Sequence, residues 1–111
     1  VVAEVSSGNI FWAKENKLYT PSLKTGALEG SIRNLIIKSG KYEVKEGEYT
    51  VADIANAEEV FITNASWLVL SVAKINSVDK NWSEGEISKS LRKYLRSIIE
   101  EDAENYRTQM V

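Results

Sequence analysis

The chain has 111 residues, 43% of them apolar, a net charge of −2, and neither cysteine nor histidine. That is enough apolar material for one domain's core; it excludes a disulfide framework, a thiol nucleophile, a Ser-His-Asp triad and any histidine-bearing metal site. The 14 basic and 16 acidic residues give no electrostatic reason to expect a nucleic-acid partner, and no apolar run approaches the ~20 residues of a membrane helix.

Val1 to Val5 reads as an extended, mostly buried segment. It carries neither an initiator methionine nor a signal-peptide pattern. The expectation is a fragment whose N-terminal part is missing, with processing or tag removal as the alternative. Ser6-Ser7-Gly8-Asn9 is a polar turn. Ile10 to Ala13 and Leu18 to Thr20, joined across Lys14-Glu15-Asn16-Lys17, predict a hairpin that ends at Pro21. Residues 21–29 form a loop. Ser31 to Lys38 places Ile32, Leu35 and Ile36 at helical spacing, with Gly40 as the stop. Tyr42 to Lys45 alternates like a half-exposed strand. Thr50 with Asp53 predicts a capping box on a short helix, Val51 to Asn56.

Glu59 to Thr63 reads as a buried strand. Trp67 to Ile75 reads as a second one, apolar enough to be covered on both faces. After a polar connection, Ser83 with Glu86 is another capping-box candidate. The last helix carries Ile87, Leu91, Leu95, Ile98 and Asp102 on one stripe, which predicts packing against a sheet. Its charges are ordinary solvation. The order of elements predicts a mixed α/β unit, a single domain over 1–111 with helices packed outside a sheet. The tripeptides Asn64-Ala65-Ser66 and Asn81-Trp82-Ser83 match glycosylation sequons, which are discounted because nothing points to secretion.

Three places could do chemistry. Glu4 stands among valines, so it either faces water on an edge strand or faces a cationic group of a ligand. Gly30-Ser31-Ile32 aims free backbone N–H groups from a helix start, where an anion is the natural guest. Asn64-Ala65-Ser66 is a second turn of small residues that lets backbone donors approach the same anion. With no histidine or cysteine, an enzyme working through this chain's own side chains near pH 7 is a poor reading.

Four pieces occur in order: Glu4-Val5-Ser6-Ser7-Gly8-Asn9-Ile10-Phe11-Trp12, Leu18-Tyr19-Thr20-Pro21, Leu28-Glu29-Gly30-Ser31-Ile32-Arg33, and Glu58-Glu59-Val60-Phe61-Ile62-Thr63-Asn64-Ala65. Together they resemble the C-terminal domain of the class IV, fold-type IV pyridoxal-phosphate enzymes. That family holds branched-chain and D-amino-acid aminotransferases and 4-amino-4-deoxychorismate lyases. The resemblance covers Glu4 to about Ile75. It implies a sheet or barrel-like sheet like that of D-amino-acid aminotransferase, and pyridoxal 5'-phosphate as cofactor.

By position, the resemblance puts Glu4 against the pyridine nitrogen, Ser7 in the pocket-lining turn and Leu28 against the ring. It gives the phosphate to the N–H groups of Ser31 and Ile32, with Asn64 and Ala65 as the second arm. Ile32 replaces a common threonine, Asn64-Ala65 a common Ser/Gly-Thr pair, and Ser71-Val72 a common Pro-Val. The family's Schiff-base lysine and its smaller N-terminal domain are expected upstream of Val1, so the 111-residue chain alone is expected to be inactive.

Asn64-Ala65 and the missing threonine lean toward the lyase, which makes pyruvate and 4-aminobenzoate for folate synthesis. A branched-chain or D-amino-acid aminotransferase is the runner-up. A non-catalytic α/β binding or assembly module is the alternative of another class. The parent is expected to be a cytoplasmic homodimer acting on an amino-acid-like small molecule, with no nucleic-acid or membrane partner.

Overall fold

Short apolar runs broken by polar turns build a five-stranded sheet, and the helices lie against its faces. The computed structural model describes residues 8–27, 29–75 and 77–110, the stretch 102–110 as helix backbone only. In chain order the elements are β1 (Asn9–Lys14), β2 (Lys17–Pro21), α1 (Ser31–Ser39), β3 (Val44–Gly47), α2 (Val51–Ala55), β4 (Glu59–Asn64), β5 (Leu68–Ser71) and α3 (Glu86–Met110). The sheet order is β3-β2-β1-β4-β5. Among the described residues only the β2–β3 pair is parallel. The expected mixed α/β architecture is present, and the sheet is open rather than barrel-like among the described residues.

β1 and β2 meet across Glu15-Asn16, both left-handed at φ 52° and 64°. Positive φ at both central residues is the two-residue hairpin turn whose twist matches the strands. β1 then pairs with β4 from Asn9–Thr63 to Ala13–Glu59. Because side chains alternate, this register sends Phe11, Ala13 and Phe61 to one face and Ile10, Trp12, Val60 and Ile62 to the other. α1 and α3 cover the first face through Ile32, Ile36, Leu91 and Leu95. Ile54 of α2, Ala57, Val78 and Trp82 cover the second.

The predicted α1, its Gly40 stop at φ 67° and the Thr50–Asp53 capping box are all present. Three expectations are corrected. β3 starts at Val44 instead of Tyr42, because pairing with β2 begins at Leu18, whose N–H donates to Glu43 O at 2.9 Å. β5 covers Leu68–Ser71 instead of Trp67 to Ile75, and it is not buried on both faces. It pairs only with β4 among the described residues, so Val69 is buried while Leu70 is 42% exposed.

Ser83 does not cap α3, which begins at Glu86. The cap comes from across the sheet. Glu59 accepts from Ile87 N at 3.2 Å, Ser88 N at 3.0 Å and Ser88 Oγ at 2.9 Å. A Cβ at Gly85 would collide with that carboxylate.

Candidate functional site

An α-helix leaves its first backbone N–H groups without intrahelical acceptors, at the positive end of its dipole. In α1 those groups belong to Ser31, Ile32 and Arg33. The preceding Gly30 offers no capping side chain, and the first turn holds no acidic residue. Ser31 is exposed. The Ile32 side chain is 5% exposed and packs in the first core. Only its backbone is therefore turned to the helix head.

What fixes the helix head is Asn9. Read as the end of a turn, Asn9 is the first residue of β1 and is 5% exposed. A Cβ at Gly30 would collide with Asn9 Oδ1. Asn9 also pairs across the sheet with Thr63, which directly precedes Asn64. Gly8 closes the same junction: a Cβ there would collide with the Thr63 carbonyl and reach Asn64 Cβ at 3.3 Å. The head of α1 and the β4–β5 turn thus meet the same end of β1. That turn is built by Asn64, whose Oδ1 accepts from Ser66 N at 3.0 Å and Trp67 N at 2.8 Å. The Asn64 side chain shapes the loop, and Ala65 at its tip is exposed.

Of the residues expected to bind cofactor, Ser31, Ile32, Asn64 and Ala65 are brought to one end of the sheet. Glu4, Ser7 and Leu28 lie outside the described residues. Sequence reasoning saw Asn9 only as part of a polar turn and missed Arg33. Arg33 is 2% exposed on the first turn of α1. Its Nη2 donates to Pro21 O at 3.2 Å and to Glu46 Oε1 at 2.5 Å, tying the helix to β2 and β3. Its place three residues before Ile36, on the buried stripe, was the available signal. Among the described residues, Arg33 Nε and Thr63 Oγ1 are buried without a hydrogen-bond partner. A helix head with open backbone N–H groups, held against Asn9, has the chemistry to receive a phosphate group.

A second candidate is structural. Trp12, Tyr19 and Tyr49 line a cavity of about 190 Å³ on the opposite face with Lys14, Asp53 and Asn56. The ring centroids stand only 5.0–6.3 Å apart, so the rings pack on one another and leave no room between them for a ligand. Burial, then the nearby Tyr19 and Asp53, holds the Tyr49 hydroxyl above the usual tyrosine range. Among the described residues no cluster of acidic side chains could hold a metal ion, and no helix is long and apolar enough to cross a membrane.

The model of the amino-transferase class IV family matches residues 1–75. The chain belongs to that family, whose members depend on pyridoxal phosphate. It is 35% identical over 107 residues to aminodeoxychorismate lyase of Bacillus subtilis, covering 90% of this chain and 36% of the relative. It is also 35% identical over 118 residues to branched-chain-amino-acid aminotransferase 5 of Arabidopsis thaliana, covering 96% and 28%. Among solved structures, branched-chain amino acid aminotransferase from Thermobaculum terrenum in its pyridoxal-phosphate form is similar at a TM-score of 0.79 and 26% identity, over 88% of this chain and 34% of that one. The chain spans about a third of the length of the curated relatives it matches.

Proposed function

We infer that this chain is the cofactor-binding C-terminal domain of a larger two-domain class IV enzyme, a 4-amino-4-deoxychorismate lyase. The observation that carries the reading is the convergence of the α1 head and the Asn64–Ser66 turn on Asn9. When bound, pyridoxal phosphate supplies an electron-poor ring that takes up the electron pair released at the substrate's α-carbon. The N–H groups of Ser31 and Ile32 hold the phosphate, and Asn64 and Ala65 close the other side. By the family resemblance, Glu4 would hold a proton on the ring nitrogen, Ser7 would belong to the pocket turn and Leu28 would meet the ring face. The lysine that binds the cofactor covalently belongs to a segment preceding Val1, so this chain alone is inactive.

The Asn64-Ala65 pair and the relative from Bacillus subtilis support the lyase. The Arabidopsis relative supports the second reading, a branched-chain aminotransferase. With the lyase come pyruvate release, a role in folate synthesis, a cytoplasmic setting and a homodimeric parent.

The test is the full-length protein. A visible absorbance band that borohydride shifts establishes the cofactor, and its absence leaves a non-catalytic module. Pyruvate formed from aminodeoxychorismate, with branched-chain keto acids inert, supports the lyase; the reverse supports the aminotransferase. Glu4→Gln should slow turnover by orders of magnitude, and unchanged turnover removes Glu4 from the mechanism.

A further inference from the structure

The turn that opens β5 is fixed on both sides of Trp67. Its N–H donates to Asn64 Oδ1 at 2.8 Å, and its carbonyl accepts from Val69 N at 2.8 Å. Leu68, between the two restraints, has φ 64°, a left-handed conformation that leucine rarely adopts. Yet the Trp67 indole is 52% exposed. A large aromatic surface held out on a strained backbone is a feature that clusters at ligand sites.

Beside it runs a groove of about 420 Å³, from Ser66 to Leu70, walled by Arg92 and Arg96. The two arginines are not equivalent. Arg92 is committed: its Nε donates to Val69 O at 3.0 Å and its Nη2 pairs with Glu84. No carboxylate pairs with Arg96 among the described residues. The groove therefore offers an aromatic face, an aliphatic patch at Leu70 and one exposed guanidinium that no carboxylate pairs among the described residues. A guanidinium fork matches a carboxylate, and an indole stacks on an unsaturated ring.

We propose that this groove binds a planar ring that carries a carboxylate, with the ring on Trp67 and the carboxylate on Arg96. The proposal deepens the lyase reading and rests on it only for the natural ligand. Substrate and product of that lyase are unsaturated six-membered-ring carboxylates, whereas a branched-chain amino acid has no ring. The groove begins at Ser66 and Trp67, the turn that forms the second arm of the phosphate cradle.

The test uses the 111-residue chain, isotope-labelled, with benzoate as probe and benzyl alcohol and isovalerate as controls. The three tryptophan indole N–H resonances are followed by NMR. Benzoate should shift the Trp67 resonance saturably and leave the buried Trp12 and Trp82 in place. Arg96→Gln should weaken benzoate about tenfold or more; Trp67→Leu, followed at the Arg96 side-chain N–H resonance in place of the lost indole, should bring it down to the isovalerate level.

Any one of four results overturns the proposal: no saturable shift, benzyl alcohol binding as well as benzoate, indifference to Arg96→Gln, or a Trp67 signal that follows protein concentration, which would mean a second copy covers the groove. Inorganic phosphate, read at the Ser31 and Ile32 amides, reports the cradle separately. Benzoate binding without a phosphate response sinks the cofactor reading alone; the opposite pattern sinks the groove alone.

Discussion

Glu59 opens β4 at 9% exposure, where a carboxylate is costly unless its oxygens are satisfied. Two backbone N–H groups and the Ser88 hydroxyl satisfy them. Glu59→Ala strips three donors of their acceptor, so unfolding free energy should drop by about 2–4 kcal/mol in a urea titration. Glu59→Gln keeps an acceptor and should lose less. Equal losses would mean that charge, not hydrogen bonding, joins α3 to the sheet. Ile32 argues the opposite way. Its side chain serves the first core while its backbone stands in the first turn of α1. Ile32→Thr should therefore cost about 1–2 kcal/mol of stability. A variant as stable as the parent would mean that the side chain is not packed as described.

At the level of elements, the legible parts were those written in local pattern. The Glu15-Asn16 hairpin, α1 with its Gly40 stop and the Thr50–Asp53 box each depend on residues a few positions apart. What escaped the sequence depends on partners far along the chain. Whether Trp67 to Ile75 is covered on both faces depends on its place in the sheet, and its apolar run does not encode an edge. The α3 cap comes from Glu59, well upstream, so a nearby serine misled. In the candidate site, Ser31 and Asn64 were legible as turn residues. Asn9 was not, because its role exists only once β1, β4 and α1 have met.

The exposed side of β5 carries a further consequence. Arg92 Nε donates to the outward Val69 carbonyl and thereby blunts an open strand edge. Arg92→Ala should expose that edge, and light scattering should show association that grows with protein concentration. A variant that stays monomeric at every concentration would show that the edge needs no guard.

Across the whole molecule, one sheet joins two apolar layers, and each layer is tied to the sheet by a polar group. On the first face, Arg33 reaches Pro21 and Glu46, so the head of α1 cannot move without β2 and β3. On the second, Tyr49 packs edge-on against Trp12 and Tyr19, and its hydroxyl donates to Lys45 O at 3.1 Å. Burial first, then Tyr19 and Asp53, raises the Tyr49 pKa in the folded chain. The folded state therefore holds this proton at pH values where the unfolded chain has released it. Its contribution is complete below about pH 10, the unfolded value, and is lost as pH climbs through the higher folded value. Thermal unfolding followed from pH 8 to 11 should show stability falling above about pH 10. Tyr49→Phe, which has no proton to release, should fall less steeply over the same range. Parallel curves for the two proteins would mean that Tyr49 ionises as freely when folded as when unfolded, and that the aromatic layer does not shield it.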